Sequence, residues 1–228
     1  MPSIVRRALA EMYGTFALVF FGVGAVVMES FPNARGGLLA IALVHAFVLS
    51  VSISATMAIS GGHLNPAVTL ALLSVRRIGI VDALVYIGSQ LAGGVLAAFA
   101  ASKLLPAGVG DIVAWGTPML NSQVTQSQGM VLEAVLTFFL VSAVMGTVAA
   151  TDAPRIGGFG IGLSLFFLIM VGGPLTGAAM NPARAFGPAT VSGVFSGQIV
   201  YWIGPIIGAI VAAQFWQRVL LKEETVPV

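Results

Sequence analysis

Two ten-residue segments carry the polar chemistry of this chain, Ser60-Gly61-Gly62-His63-Leu64-Asn65-Pro66-Ala67-Val68-Thr69 and Leu175-Thr176-Gly177-Ala178-Ala179-Met180-Asn181-Pro182-Ala183-Arg184. Each reads as flexible backbone, then an Asn cap, then Pro at the first helical position. An Asn side-chain oxygen accepts from an amide of the first helical turn, and Pro suits the next position because no backbone donor is needed there. Each segment therefore predicts a helix start at Asn65-Pro66-Ala67 and Asn181-Pro182-Ala183. Both lie between strongly apolar stretches, where irregular backbone is tolerated only if it is buried in protein or lines a watery cavity. A helix N-terminus carries roughly half a positive charge, so two of them facing one another form a barrier to cations. With the Asn oxygens occupied by capping, the amide NH2 groups are expected to donate into a lumen and orient a water. The backbone of Gly61, Gly62, His63 and Leu64, and of Gly177, Ala178, Ala179 and Met180, is expected to be extended and to offer a ladder of carbonyl acceptors. These are parts for a pore.

Arg184 lies three residues past Asn181. An arginine in an apolar segment is expensive unless it faces a cavity or a partner. One turn into the helix, it is placed to repel cations and to donate to neutral solutes. Glu11 and Glu133 lie inside apolar runs at matched positions, Glu11-x-x-x-Thr15-Phe16 and Glu133-x-x-x-Thr137-Phe138. They are expected to accept hydrogen bonds from backbone amides of the two Asn-Pro-Ala loops, as scaffold and not as a proton relay. His63 is expected to matter through its carbonyl, with its ring satisfied structurally. His45, taken alone on an apolar stretch, reads as a buried structural histidine. Tyr86, Trp202 and Trp216 read as packing or interface residues. The chain has no cysteine, and it offers no acid pair, His-rich cluster or activated serine. No catalytic residue, metal or cofactor is assigned.

Composition sets the surroundings of these groups. The chain is 58% hydrophobic and 8% charged, against about 25% charged in an ordinary soluble domain. Such a composition cannot make a normal aqueous surface, so the solvent around most of the chain is lipid. A net charge of +2 gives no reason to expect nucleic acid as a partner. The apolar run after Arg6 and Arg7 is too long for a signal peptide and lacks a small-residue cleavage pattern, so it reads as a retained first span.

A spanning helix needs roughly 20 apolar residues. Spans are predicted at residues 8–28, 38–59, 81–105, 129–150, 157–171 or slightly beyond, and 198–220. Between the second and third, a short helix runs from 66 to about 74, where Arg76 and Arg77 stop it; its mate runs from 182 to about 191. Nine residues of helix are about 14 Å long, half a bilayer. Residues 106–128 read as a long external loop with no domain of its own, and 151–155 as a tight polar turn. The whole chain, 1–228, is expected to form a single transmembrane channel domain of two repeats, about 1–105 and 129–222. Each repeat has an odd number of spans, so the two sit upside down to one another. Paired interrupted segments in inverted halves point to a site near the midplane. Lys and Arg in short loops set orientation: Arg6, Arg7, Arg76, Arg77, Arg155, Arg218 and Lys222 fall on the side of the termini. The reading is a multi-pass protein of the cell membrane with both termini cytoplasmic.

Paired Asn-Pro-Ala boxes in a six-span inverted repeat resemble the aquaporins, and the similarity covers nearly the whole chain. That resemblance implies a right-handed bundle of six helices plus two re-entrant half-helices, a pore in every subunit and a homotetramer. It also implies a four-residue selectivity filter, which here falls on His45, Ile169, Ala178 and Arg184. Orthodox water channels show Phe and His where this chain has His45 and Ile169. The set His-Ile-Ala-Arg is similar to that of plant tonoplast intrinsic proteins, some of which pass ammonia or other small neutral solutes besides water. Glycerol facilitators have Trp at the place of His45 and Asp after the filter Arg, where this chain has Ala185. The implied function is a passive, non-enzymatic channel for water, with ammonia, hydrogen peroxide or urea as further solutes. The alternative is a secondary transporter of a small neutral solute, which would need an ion-coupling acid in the pathway.

Overall fold

The computed structural model of the protein describes residues 2–149 and 156–221. Arg155 and Lys222 of the basic-residue argument, and the turn at 151–155, lie outside the described residues. Within them the chain is helical: α1 (Ile4–Glu29), α2 (Gly37–Ser60), α3 (Pro66–Ser74), α4 (Ile80–Leu104), α5 (Ala107–Ile112), α6 (Gln126–Val144), α7 (Gly158–Thr176), α8 (Pro182–Ser192) and α9 (Val200–Phe215). A wider π-type turn extends α6 over Met145–Ala149 and another extends α9 over Trp216–Leu220. Among the described residues six helices are long and apolar enough to cross a membrane: α1, α2, α4, α7, and α6 and α9 with their extensions. Helices α3 and α8, of 9 and 11 residues, are half-length, and α5, of 6 residues, is shorter still.

Most span ends shift by one to three residues, and three departures from the sequence reading are larger or change the architecture. The first span begins at Ile4, four residues early, because Ser3 caps it by accepting from the Arg6 amide and Arg7 is neutralised by Asp82. That ion pair is bidentate, with bonds of 2.7 and 3.0 Å, and ties α1 to α4. Helix α7 continues through Pro174 to Thr176, although the proline removes the donor that would reach back one turn. Residues 106–128 form more than a plain loop. They fold as α5 and a single 3₁₀ turn at Ala114–Gly116, with Trp115 buried and its indole nitrogen donating to Asp111 at 2.8 Å.

The surface is reversed relative to a protein in water. Phe21, Phe47, Phe99, Phe139 and Phe167 are exposed, whereas Glu11, Thr15, Gln90, Glu133 and Thr137 are fully buried. Between helices the contact is backbone on backbone. A Cβ on Gly93 would strike the carbonyl of Met12, and one on Gly208 would strike that of Ala134. Met12 and Ala134 each directly follow the buried glutamates, so the α1–α4 and α6–α9 contacts repeat one design in the two inverted halves. Small residues at helix crossings allow such close approach where lipid supplies no hydrophobic driving force.

Candidate functional site

The two Asn-Pro-Ala segments meet in the middle of the bundle. Asn65 caps α3, its oxygen accepting from the Ala67 amide at 2.8 Å. Asn181 caps α8, accepting from Ala183 at 3.0 Å and Arg184 at 3.3 Å. Each amide then reaches across to the other segment. Asn65 Nδ2 donates to the Met180 carbonyl at 2.8 Å, and Asn181 Nδ2 donates to the Leu64 carbonyl at 2.9 Å. This corrects the expectation that both NH2 groups are wholly free: one hydrogen of each is spent on the opposite segment, and one remains.

The carbonyl ladder changes with it. Leu64 and Met180 are fully buried and their carbonyls are taken by the opposite Asn. They do not line the central cavity described below. The carbonyls of Gly61, Gly62, His63, Gly177, Ala178 and Ala179 accept from no protein group among the described residues. The backbone is also not the extended form expected. Gly61, Gly62 and Leu64 have φ of 92°, 64° and 52°, and Gly177, Ala178 and Met180 have φ of 79°, 45° and 51°. Such left-handed geometry costs a non-glycine residue on the order of 1–3 kcal/mol unless its surroundings over-determine it.

Two carboxylates supply that constraint. Glu11 accepts from Ser60 Oγ (2.6 Å), the His63 amide (3.0 Å), the Leu64 amide (2.6 Å) and Gln90 Nε2 (2.8 Å). Glu133 accepts from Thr176 Oγ1 (2.7 Å), the Ala179 amide (2.9 Å) and the Met180 amide (2.7 Å). Ser60 and Thr176 in turn accept from the Gly62 and Ala178 amides. Every partner of both glutamates is a donor, which suits a carboxylate that only accepts. Tyr86, read from sequence as a packing or interface residue, and Tyr201 add a matched pair: their hydroxyls donate to the Ser60 and Thr176 carbonyls at 2.7 and 2.8 Å. Replacing either Tyr by Phe is expected to lower stability by about 0.5–1.5 kcal/mol, the net value of one hydrogen bond. Thermal unfolding in detergent would measure it; an unchanged transition in both variants would remove the tyrosines from the scaffold.

Gln90 was not singled out in the sequence. It is fully buried and bridges Glu11 to Thr69, the latter at 3.0 Å. A lone carboxamide in an apolar span is the signal that could have found it. The His63 ring lies 3.2 Å from Thr69 Oγ1 and edge-on to Tyr86.

Four further side chains converge on one level of the bundle. His45 Nδ1 donates to the Ile41 carbonyl at 2.8 Å. Since that carbonyl can only accept, the other ring nitrogen, Nε2, carries the lone pair, and Arg184 Nη2 donates to it at 3.3 Å. Arg184 Nη1 donates to the Gly116 carbonyl at 2.8 Å. Gly116 belongs to the 106–128 segment, so this connection was not visible in the sequence. The carbonyl is presented by left-handed backbone at Ala114, Trp115 and Gly116.

Two cavities meet at that level. One, of about 250 Å³, runs from His45, Ile169, Ala178 and Arg184 past Asn65 and Asn181 to Leu72, Arg77 and Val148, near the face where α1 begins. The other, of about 430 Å³, opens towards Ile112, Val113, Pro118 and Met119 on the opposite face. The residues common to both are His45, Ile169, Ala178 and Arg184. Neither Glu11 nor Glu133 lines either cavity.

Six spans, two half-helices meeting at their N-termini, and a passage running beside that junction define a membrane channel built from two inverted halves. Residues 1–216 match the family model described as Major intrinsic protein. The chain belongs to the major intrinsic protein family. It is 43% identical to Aquaporin TIP4-1 of Arabidopsis thaliana, a match covering 100% of this chain and 91% of that protein. It is 40% identical to Aquaporin TIP4-4 of Zea mays, over 96% of this chain and 88% of the relative. Among solved structures, the aquaglyceroporin from Plasmodium falciparum has the same fold, with a TM-score of 0.84 over 95% of this chain and 97% of that one, at 24% identity.

Proposed function

We propose that this protein is a passive channel that lets water cross in single file, together with ammonia and other small neutral solutes, and excludes ions and protons. The observation that carries this reading is that His45, Ile169, Ala178 and Arg184 are the residues shared by the two cavities. They are proposed as the selectivity filter. Arg184 supplies the fixed positive charge. Both His45 ring nitrogens are engaged by Ile41 and Arg184, so His45 offers the passage the edge of a ring and holds the guanidinium aside. Ile169 adds an apolar wall. A neck with one donor group and two largely apolar walls holds a small neutral molecule weakly, and weak holding is what conduction needs.

Beyond the neck, the half-helix N-termini add a second positive region. The remaining hydrogens of Asn65 and Asn181 donate to one passing water, which then turns its own hydrogens away from the junction. This interrupts a proton-conducting chain. The six free carbonyls accept from waters on either side of that point. No acid stands in the passage, so the coupling group required by a secondary transporter has no candidate among the described residues that line it.

The chain is proposed to act as a single channel domain whose halves span about 1–105 and 129–222, in the cell membrane, with both termini in the cytoplasm. Support for the orientation comes from Arg6, Arg7, Arg76, Arg77 and Arg218 on the face where α1 begins. A homotetramer follows from the family resemblance.

Stopped-flow light scattering of proteoliposomes tests the function directly; a water permeability no higher than that of empty vesicles rejects it. The filter is tested by His45→Phe combined with Ile169→His. This variant is expected to lower the ammonia-to-water permeability ratio by about fivefold, because a second ring narrows the neck and adds a polar group. An unchanged ratio would mean that these two side chains do not set selectivity.

A further inference from the structure

We propose that Gly22 on α1 is a positioning residue for selectivity: by presenting no side chain, it fixes where the His45 ring stands and so sets the bore of the neck. The proposal rests on the reading of His45 and Arg184 as that neck. Gly22 is buried and does not itself line either cavity. A Cβ built on it would lie 2.5 Å from His45 Nε2 and 3.1 Å from both Cδ2 and Cε1. Optimal separation between such atoms is about 3.5–4.0 Å. The atom most crowded is the one that accepts from Arg184.

The ring has no easy retreat. Its far nitrogen is tied to the Ile41 carbonyl, so a methyl group at position 22 must turn or push the ring towards the lumen and off the guanidinium. Helix α1 cannot withdraw either. Glu11, three turns earlier, is held by four donors. The Met12 carbonyl is in contact range of Gly93 on α4. Gly24, two residues on, gives a matched control on the same helix, because a Cβ there would meet no atom within 4 Å.

The experiment compares Gly22→Ala, Gly24→Ala, His45→Ala and the double variant Gly22→Ala/His45→Ala in proteoliposomes, measuring water and ammonia permeability on each preparation. Gly22→Ala is expected to lower water permeability by about threefold or more and to change the ammonia-to-water ratio, since a filter responds to displacements well under 1 Å. Gly24→Ala is expected to match the unsubstituted protein. In the His45→Ala background, Gly22→Ala is expected to have no further effect. An unaltered Gly22→Ala channel, or an effect of equal size with and without the His45 ring, overturns the proposal. If Gly22→Ala does not yield folded protein, the double variant must; its failure, where His45→Ala alone succeeds, overturns the proposal equally. An unaltered ratio in His45→Ala itself would instead reject the assignment of the neck.

Discussion

Glu133→Ala is expected to lose at least about nine-tenths of the water permeability and about 3 kcal/mol or more of stability. The substitution leaves Thr176 Oγ1 and the Ala179 and Met180 amides without their acceptor. Each unsatisfied buried donor costs roughly 1–3 kcal/mol. It also removes what holds Ala178 and Met180 in left-handed geometry. A relaxed loop would carry Asn181 and its cross-segment bond to Leu64 out of place. Glu133→Gln is expected to fall between, because its NH2 must face one of three donors. Thermal unfolding in detergent and stopped-flow flux on the same samples decide the matter. A Glu133→Ala channel with normal flux would show that the carboxylate is not what secures the second loop.

Arg184→Val is expected to act in the opposite direction, opening the filter while water still passes. Two unit charges about 4 Å apart interact by roughly 4 kcal/mol at an effective dielectric of 20, about a thousandfold in rate. The half-helix N-termini remain as a second barrier, so only part of that factor is recovered. Methylammonium and urea permeability are expected to rise by about tenfold or more. The variant also frees the Gly116 carbonyl and the His45 ring from their shared partner, which lets the ring move and widens the neck further. Isotope or light-scattering flux measurements with both solutes provide the check. No change in either would remove the guanidinium from the path.

What was legible in the sequence is what local chemistry determines. Asn65-Pro66 and Asn181-Pro182 start helices through their own side chains and ring, and both helices begin where the pattern places them. The glutamates were legible because a carboxylate in an apolar span demands donors, and irregular loops supply them. What escaped was set by distant parts of the chain. The Asn65–Met180 and Asn181–Leu64 bonds join residues 115 and 117 apart, and no local pattern encodes them. The left-handed backbone at Leu64, Ala178 and Met180 carries no glycine to announce it. The Gly116 carbonyl reaches Arg184 from the 106–128 segment, where its neighbour Trp115 is buried and donates to Asp111.

The reciprocal bonds between the two loops also bear on how the polypeptide is made. Proteins emerge from the ribosome N-terminal end first, at about 5–20 residues per second. All four donors of the Glu11 clamp lie before residue 91, so the first loop can be fixed while the second half is still unwritten. The Asn65 amide and the Leu64 carbonyl must then wait in the translocating chain until Asn181 arrives. Through that interval, on the order of seconds at this rate, the half-built protein carries one donor and one acceptor whose partners do not yet exist.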